Sequence, residues 1–377
     1  MKKAIFFIVI SIIFIKLQAQ KTGVYQDTIP FRDDLGLIII PITFNGVEKQ
    51  FAFDTGAQLS LGFSWVKSEL KPTTTTTYLT TSSGSRTKKR YYKSGTIQLG
   101  SRKITKHRIL GGTDKSTIYA CYNIDGVLGV DITQHFNWII DYKKKILIMS
   151  PTNYYPKEIQ KMHALDFNFK NKRPSVFFKM NGKRINFLLD TGAGESDVSK
   201  KNYNLINIAK YPKANFYSGF FDANGVLTPT YSKTVQLPEI VSSKVTVKPI
   251  VSYSNQTTKI GNNLWKDKRL FLSLRNNKLY SSANYISEDL WSYDCSAVIK
   301  NKKMLILHLK EGGEAWNLGI RQGDEIKTVN EKVFTDFCTL KKYLGQCNKE
   351  NKALEFVFLK GQKVLVHKKE LFAITDP

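Results

Sequence analysis

Apolar and polar residues alternate along two separate stretches of the chain, and both stretches have the same layout. The first, IPITFNGVEKQFAFDTGA, runs from residue 40 to residue 57, and the second, VFFKMNGKRINFLLDTGA, runs from 176 to 193. In each, a strand-like alternation leads into Asn-Gly, the dipeptide most typical of a tight hairpin turn, and then into a second strand. Each pattern therefore predicts a β-hairpin whose second strand ends at an Asp.

The similarity continues beyond the hairpins, which indicates an internal repeat. TIQLG at residues 96–100 resembles TVQLP at 234–238, and VLGVDI at 127–132 aligns with KIGNNL at 259–264. Both copies are rich in β-branched and aromatic residues with period-two alternation. The repeat predicts two homologous β lobes, joined through the Pro-bearing stretch at residues 150–159.

The final part of the chain has a different pattern, which predicts a small α+β domain. FTDFCTLKKYLGQ has the spacing of an amphipathic helix, and ALEFVFLKGQKVLVHKKELF alternates on both sides of a Lys360-Gly361 turn. We therefore divide the chain into a leader at 1–19, a first lobe at 20–155, a second lobe at 156–286 and a tail domain at 287–377.

The leader has the features of a secretory signal peptide. Lys2 and Lys3 precede an apolar run from Ala4 to Ile15, and Ala19 ends the segment. The run is shorter than the ~20 residues that a membrane-spanning helix needs. We therefore predict an exported protein, periplasmic, at the cell surface or secreted, with no integral membrane span.

Composition narrows the possible partners. Lys and Arg outnumber Asp and Glu by 57 to 31, an excess that would attract anionic partners at low salt. The basic residues are scattered, however, and the one dense cluster, SRTKKRYYK at residues 85–93, is accompanied by no nucleic-acid motif. This distribution favours a solvated basic surface and argues against nucleic acid as a partner.

The Cys and His residues do not suggest a metal or cofactor site. None has a metal-ligand spacing, and four Cys in 377 residues are too few for a disulfide scaffold. Cys338 and Cys347 lie at opposite ends of the predicted tail helix, too far apart to bond to each other. We predict that the Cys residues are free or structural and that the protein uses no cofactor and no metal.

The repeated Asp-Thr-Gly carries the candidate chemistry. One copy alone would be read as an ordinary turn Asp, but if the lobes pack about a pseudo-twofold axis, Asp54 and Asp190 face each other. Two adjacent carboxyls cannot both ionise cheaply, so they share one proton. The ionised group can take a proton from a trapped water while the protonated group donates to a substrate carbonyl, which suits attack of water on a peptide bond.

With these motifs the chain resembles aspartic proteases of the retropepsin-like and pepsin-like clan. The resemblance rests on Asp54-Thr55-Gly56-Ala57, on Asp190-Thr191-Gly192-Ala193, and on the hydrophobic-hydrophobic-Gly segment at 127–129 with its weaker counterpart Lys-Ile-Gly at 259–261. It implies a mostly β, bilobed, acid-protease-like double β-barrel that is monomeric, because both halves lie in one chain. It also implies that both Asp are catalytic, that each Thr ties its loop to the opposite lobe, and that the Gly and Ala residues support the site.

Members of this clan close a β-hairpin flap over the cleft. The resemblance places the flap at residues 77–95, with Ser83, Gly84 and Ser85 at its tip. The corresponding segment of the second lobe is FYSGFFDANGVLTPTY at residues 216–231. Gly at the tip and the basic residues after it suit a mobile, solvated hairpin.

Two departures from the clan's pattern affect the expected chemistry. Ala57 and Ala193 stand where pepsin-like enzymes usually carry Ser or Thr, so each carboxylate lacks a hydroxyl donor and the pKa values of the pair should be higher. We therefore expect activity at mildly acidic to near-neutral pH. In addition, Lys259 stands where the first copy has an apolar residue, and we expect it to pair with Asp197 or Glu195.

The tail domain resembles a PDZ domain of the kind found behind exported bacterial proteases. Gly319-Ile320 and Gly323-Asp324-Glu325-Ile326 occur in the expected order. Such domains capture an extended peptide by strand addition, but EDLWSYDCSAVIK has none of the Gly that a carboxylate-binding loop needs. Docking onto the lobes and binding of an internal segment are therefore the open alternatives.

The sequence thus predicts an exported aspartic endopeptidase that acts on a protein or peptide substrate, with a PDZ-like domain for substrate or partner docking. The alternative is a catalytically silent peptide-binding protein that keeps the bilobed cleft as a scaffold. Retention of both Asp, both Thr and both Gly residues of the repeated motif favours the enzyme.

Overall fold

The structure, a computed structural model, describes residues 26–34, 36–80, 86–112, 117–207, 210–221, 227–254, 257–288 and 291–372. The predicted signal peptide and the predicted flap tip, Ser83 to Ser85, lie outside the described residues. Short strands dominate the rest, so the prediction of a mostly β, bilobed fold is confirmed. Of the helices in the described ranges, none has the length and apolarity needed to cross a membrane.

The first copy of the repeat contains thirteen strands and three short helices within the described ranges. In chain order the strands are Asp27–Pro30 (β1), Arg32–Asp34 (β2), Leu37–Phe44 (β3), Val47–Phe53 (β4), Leu61–Gly62 (β5), Lys71–Thr80 (β6), Arg86–Lys93 (β7), Ile97–Leu99 (β8), Arg102–Ile104 (β9), Arg108–Gly111 (β10), Gly126–Leu128 (β11), Phe136–Asp141 (β12) and Ile146–Pro151 (β13). The helices are Trp65–Glu69 (α1), Thr117–Cys121 (α2) and Val130–Thr133 (α3).

The second copy follows the same plan. Its strands are His163–Ala164 (β14), Phe167–Lys170 (β15), Arg173–Met180 (β16), Lys183–Leu189 (β17), Ser196–Ser199 (β18), Lys213–Phe221 (β19), Leu227–Gln236 (β20), Ile240–Ser242 (β21), Val245–Lys248 (β22), Ile250–Ser254 (β23), Lys259–Ile260 (β24), Arg269–Ser273 (β25), Lys278–Ser281 (β26) and Tyr285–Ser287 (β27). Helix Lys200–Ile206 (α4) and the 3-10 helices Lys157–Lys161 and Asn262–Trp265 also belong to this part of the chain.

The two predicted hairpins form with matching turns. Strand β3 pairs with β4 up to Phe44 and Val47, and β16 pairs with β17 up to Met180 and Lys183. Both residues of each Asn-Gly turn have positive φ, 51° and 90° in the first turn and 50° and 75° in the second. Such angles define the hairpin turn that Asn-Gly favours, because its twist matches that of the flanking strands.

A strand from further along the chain lies beside each hairpin, parallel to the strand that ends at Asp. Strand β11 pairs with β4, and β24 pairs with β17. The side chains of β4 and β17 that point into the core, Phe53 and Leu189 among them, are fully buried. Each aspartate therefore follows a fixed strand end that is supported by a neighbouring strand.

A six-stranded sheet joins the lobes. Its order is β1-β13-β12-β25-β26-β14, so strands of the first copy pair directly with strands of the second. At its centre β12 and β25 are antiparallel, with Ile139 opposite Phe271. These are the segments FNWIIDYKKKILIMS and KRLFLSLRNNKLYSS, which align in the repeat, so equivalent strands meet near the pseudo-twofold axis.

The tail domain has its own buried core. Its strands are Trp291–Ser292 (β28), Cys295–Lys300 (β29), Lys303–Lys310 (β30), Ile326–Val329 (β31), Leu354–Phe358 (β32), Lys363–Val366 (β33) and Lys369–Glu370 (β34), and its helices are Glu314–Asn317 (α5) and Phe337–Lys349 (α6). Helix α6 begins after Asp336, whose side chain accepts a hydrogen bond from the Thr339 N–H at 2.8 Å, as an N-cap should.

A strand pairing and a disulfide are among the contacts that hold the tail domain against the lobes. Strand β30 pairs with β19 of the second lobe, with Tyr217 opposite Leu309. A disulfide between Cys121 and Cys338 links helix α2 of the first lobe to helix α6. The sequence did not predict this disulfide, because the two Cys are 217 residues apart and meet only when the tail domain docks. The other two, Cys295 and Cys347, form no disulfide in the described structure and are buried.

Candidate active site

Asp54 and Asp190 occupy equivalent positions at the ends of β4 and β17. The Asp54 N–H donates to the Leu128 carbonyl at 3.0 Å, and the Asp190 N–H donates to the Ile260 carbonyl at 3.0 Å. Leu128 belongs to the hydrophobic-hydrophobic-Gly segment of the first lobe, and Ile260 belongs to its Lys-Ile-Gly counterpart in the second. The two aspartates are therefore held by the same backbone contact in both halves of the molecule.

The two loops meet, and each motif Gly lies against the carboxylate of the other lobe. A Cβ on Gly56 would be 2.5 Å from Asp190 Oδ1, and a Cβ on Gly192 would be closer still to the Asp54 carboxyl. Real Cβ atoms do not approach heavy atoms this closely, so only Gly allows the approach. The Asp54 and Asp190 carboxyls are close enough that a charge on Asp190 raises the pKa of Asp54.

The two Thr residues cross-link the loops symmetrically. The Thr55 hydroxyl donates to the Leu189 carbonyl at 2.6 Å, and the Thr191 hydroxyl donates to the Phe53 carbonyl at 2.7 Å. Each hydroxyl oxygen also accepts the backbone N–H of the opposite Thr, at 3.0 and 3.1 Å. Both Thr are buried, so these hydrogen bonds fix the separation of the loops.

The carboxylates differ in the donors around them. Asp54 Oδ1 accepts two backbone hydrogen bonds, from Gly56 at 2.8 Å and from Ala57 at 2.9 Å. Asp190 Oδ1 accepts only one in the described structure, from Gly192 at 3.0 Å. The N–H of Ala193 instead donates to the Asp190 main-chain carbonyl at 3.2 Å.

The environment strongly disfavours a charge on Asp54. Burial, followed by repulsion from the Asp190 carboxylate, raises the pKa of Asp54 from an ordinary 3.8 to about 8, against the opposing effect of its N–H donors. Two carboxyls this close share a proton rather than ionise together. At neutral pH the pair therefore carries one proton.

A Lys lies beside the second carboxylate. Lys259 Nζ is 3.2 Å from Asp197 Oδ2, which is one of the two pairings expected from the sequence, and 4.0 Å from Asp190 Oδ2. Burial by itself lowers the pKa of Lys259, but attraction to Asp197, Asp190 and Asp54 together raises it above its ordinary value. Lys259 is therefore a permanent cation at the edge of the carboxyl pair.

The two remaining acids of this loop also titrate above their ordinary range. The Glu195 side chain is exposed, but the protein around it removes part of its solvation and raises its pKa, and repulsion from Asp197 adds to the effect. Burial likewise raises the pKa of Asp197, although Lys259 opposes the shift. Lys341 on α6 attracts Glu195 and opposes the rise in its pKa, so the tail domain contributes a charge to the neighbourhood of the second loop.

Two serines that the sequence analysis did not single out support the loops. Ser60 Oγ accepts the Gly129 N–H at 3.0 Å, and Ser196 Oγ accepts the Gly261 N–H at 3.1 Å. The two Ser are equivalent in the repeat, at the ends of FAFDTGAQLS and FLLDTGAGES. Their equal spacing from the two Asp residues is the sequence feature that could have identified them. In the first lobe Ser60 also donates to Asp131 Oδ1 at 2.6 Å.

The arms of the predicted flap form an antiparallel hairpin. Strands β6 and β7 pair from Thr80 opposite Arg86 back through Thr77 opposite Lys89. Their counterpart in the second lobe is the hairpin of β19 and β20.

Across the described residues, no group of three or more His, Cys, Asp or Glu side chains is arranged to hold a metal ion.

Comparisons with known proteins give a family-model match to part of the chain and matches among solved structures. The aspartyl protease family model matches residues 40–132, which include the first Asp-Thr-Gly loop and the Val127-Leu128-Gly129 segment. The crystal structure of Basic 7S globulin from soybean aligns with a TM-score of 0.41 and 8% sequence identity, over 70% of this chain and 96% of that chain. A search of curated proteins found no match to this sequence.

Proposed function

We propose that the protein is an exported aspartic endopeptidase that hydrolyses peptide bonds with Asp54, Asp190 and an activated water. The observation that carries the proposal is the paired carboxyl site, in which each motif Gly lies against the opposite carboxylate and the two Thr lock the loops together. The family match over residues 40–132 supports an aspartyl protease origin of the first half of this site.

The chemistry follows from one proton shared by two carboxyls. The ionised carboxylate accepts a proton from a water molecule as the water oxygen bonds to the peptide carbon. The protonated carboxyl gives its proton to the carbonyl oxygen, which yields a neutral tetrahedral diol. The diol then loses a proton back to the ionised carboxylate while the other carboxyl protonates the leaving amine, so the pair returns to its starting state.

The pH range of this activity is expected to extend to neutrality. The reaction requires a proton on one carboxyl, and burial together with repulsion from Asp190 raises the pKa of Asp54 to about 8. The singly protonated pair therefore persists through neutral pH and is lost above that value. An optimum in strong acid alone would contradict this expectation.

The test compares the purified chain with single-site variants on an unfolded protein substrate between about pH 3 and pH 9, a range that spans both limbs of the activity profile. Asp54→Asn and Asp190→Asn should each reduce cleavage by about 10²- to 10⁴-fold, the range for removal of a general acid or base. Asp166→Asn, an exposed residue of the second lobe that pairs with Arg184, is the matched control and should cleave normally. Cleavage that survives either dyad change would exclude the mechanism.

The alternative function, a silent peptide-binding protein, predicts a different outcome of the same assay. The unmodified chain would then bind unfolded protein at every pH without cleaving it, and neither Asn substitution would weaken the binding by more than the control. Binding without cleavage would therefore replace the peptidase proposal.

We further propose that the tail domain is PDZ-like and positions substrate at the cleft. Strand β29 has only β30 as a strand neighbour in the described structure, so its other edge can accept an extended segment. Helix α6 is bonded through Cys338 to the first lobe, and its Lys341 attracts Glu195 beside the second carboxylate. Strand β29 packs against α6, so a segment added to β29 would lie on the part of the tail domain that contacts the lobes.

This role is tested by releasing one attachment. Cys338→Ser removes the covalent link to the first lobe and should raise KM for an unfolded protein while leaving KM for a short peptide unchanged. Cys347→Ser, which removes a free Cys from the same helix, is the control. Equal effects on long and short substrates would contradict a positioning role.

A further inference from the structure

The cation beside the carboxyl pair breaks the symmetry of the site. Lys259 Nζ lies 4.0 Å from Asp190 Oδ2, and its side chain is only 22% exposed. The equivalent residue of the first lobe is Val127, which is buried and has no charge. The same strand position therefore carries an ammonium group in one lobe and an apolar side chain in the other.

We propose that Lys259 is a positioning residue that holds Asp190 in its ionised form, so that Asp190 is the base and Asp54 the acid of the pair. The inference rests on the proposed peptidase function, because base and acid are roles in that reaction. It goes further by assigning each role to one aspartate, which the symmetrical Asp-Thr-Gly motifs do not do.

Backbone donors alone would favour the opposite assignment. Asp54 accepts two N–H donors and Asp190 accepts one in the described structure, and donors to a carboxylate stabilise its charged form. A full positive charge about 4–6 Å away has a larger effect, lowering a carboxyl pKa by about 1–3 units. Lys259 also attracts Asp190 more strongly than Asp54. The cation therefore outweighs the additional N–H and places the charge on Asp190.

The other charged groups around Lys259 are consistent with this assignment. Asp197 is its nearest partner and shares the ammonium group with Asp190. Glu195 is attracted by both Lys259 and Lys341 of the tail domain. Asp197 therefore competes for the cation, and removing its charge should direct Lys259 more fully to Asp190.

With these roles every proton in the reaction has an origin and a destination. The Asp190 carboxylate takes a proton from the water as its oxygen bonds to the peptide carbon, and Asp54 gives its proton to the carbonyl oxygen. In the second step Asp54 takes a proton from the diol as the carbon–nitrogen bond breaks. Asp190 then protonates the departing amine and is ionised again.

The test measures kcat/KM against pH for Lys259→Met, Lys259→Arg and Asp197→Asn. The acid limb of the profile reports ionisation of the base. We expect Lys259→Met to move this limb to higher pH by about 1 to 3 units, Lys259→Arg to restore it, and Asp197→Asn to move it to lower pH. Arg184→Met removes an exposed cation of the same lobe and should leave the profile unchanged.

A second readout does not depend on activity. Carbon NMR of Asp carboxyls labelled at Cγ, assigned with the two Asn variants, gives the titration of Asp190 directly. The Asp190 resonance should titrate at higher pH in Lys259→Met than in the unmodified chain. The double variant Lys259→Met, Asp197→Asn should show the same direction of shift. It excludes an effect of Asp197 left without its cation, because position 197 then carries no acid. If the chain proves inactive, the peptidase proposal and the roles of base and acid are rejected. The NMR shift still shows whether Lys259 stabilises the ionised form of Asp190.

The outcomes that overturn the proposal are specific. An acid limb and an Asp190 titration that both stay within about 0.3 pH units in Lys259→Met would show that the cation does not control Asp190. An effect reproduced in full by Arg184→Met would indicate a general change of surface charge. Titration of Asp54 below Asp190 in the unmodified chain would reverse the assignment of base and acid.

Discussion

The two Asp-Thr-Gly loops are alike in sequence and backbone but differ in electrostatics. Both aspartates follow a hairpin strand and donate their N–H to a neighbouring strand at 3.0 Å. In the described structure Asp54 accepts two peptide N–H groups, whereas Asp190 has one fewer donor and an ammonium group beside it. A duplicated motif thus fixes the geometry of a site, while residues outside the motif decide how charge is distributed in it.

The difference begins with the orientation of one peptide. The Ala57 N–H points to the carboxylate of Asp54, while the Ala193 N–H points to the main-chain carbonyl of Asp190. Ala193 therefore does not stabilise the charge on Asp190, and that function passes to Lys259. In the second loop the ammonium charge of Lys259 therefore takes the place that the Ala57 N–H dipole has beside Asp54 in the first.

The largest expected effect comes from adding a methyl group to either motif Gly. Gly56→Ala and Gly192→Ala place a Cβ against the opposite carboxylate, so the two acids must move apart. We expect kcat/KM to fall by about 10²-fold or more, since a displacement of about 1 Å costs this much. Urea denaturation should also show a loss of about 1–3 kcal/mol of stability from overpacking.

The control for these variants is a Gly with free space around it. Gly345 lies in helix α6, and among the described residues outside its own helix turn no atom comes within 4 Å of the position that an added methyl group would take. Gly345→Ala should therefore retain activity and gain slight stability. If only one of the two motif variants lost activity, the loops would not be equivalent in geometry. The claim that the two loops differ only in electrostatics would then be wrong.

The next effect is the contribution of Asp54 to the pH dependence of stability. Asp54 has a pKa of about 8 in the folded protein and an ordinary value of 3.8, so between these pH values the folded state binds a proton that the unfolded state does not. The free energy of unfolding should therefore fall as pH rises through this window, because ionisation then favours the unfolded chain. Chemical denaturation at about pH 5, 7 and 8.5 measures the slope.

Asp54→Asn removes the contribution of Asp54, while Glu195 and Asp197, whose pKa values are also raised, keep theirs. Compared with the unmodified chain, the variant should gain stability as pH rises, by on the order of a few kcal/mol between the two ends of the window. Asp190→Asn, which removes the repelling neighbour, should only reduce the slope. An unmodified chain whose stability rises across this pH range, with the Asn variant parallel to it, would contradict the protonated state assigned to Asp54.

The Thr pair is where the loops should behave identically. Thr55→Val and Thr191→Val each leave a buried carbonyl and a buried N–H without a partner, at a cost of about 1–3 kcal/mol. Because the two hydroxyl oxygens lie 3.4 Å apart and each accepts the N–H of the other Thr, the double variant should lose less than the sum of the single losses. Thr133→Val is the control, since the buried Thr133 hydroxyl has no hydrogen-bond partner among the described residues. Additive losses would show that the loops are not locked to each other.

The sequence predicted the parts of this site that depend on local pattern. The hairpins, their Asn-Gly turns and the equivalence of Asp54 with Asp190 follow from alternation and from the repeat, which are properties of short segments. The contacts of Lys259 were predicted only in part. Its charge indicated a pairing with Asp197 or Glu195, but its proximity to Asp190 depends on how β24 lies beside β17. The Cys121–Cys338 disulfide depends on the docking of a whole domain, which no local pattern encodes.

The smallest expected effect separates the roles of the two aspartates. Ala57→Ser and Ala193→Ser each add a hydroxyl that can donate to the adjacent carboxylate and stabilise its charged form. If Asp54 is the acid, Ala57→Ser should move the basic limb of the kcat/KM profile to lower pH by about 0.5 to 1 unit and leave the acid limb in place. If Asp190 is the base, Ala193→Ser should move the acid limb instead. A shift of the acid limb by Ala57→Ser would exchange the roles and make the N–H donors, not the Lys, the stronger influence on the pair.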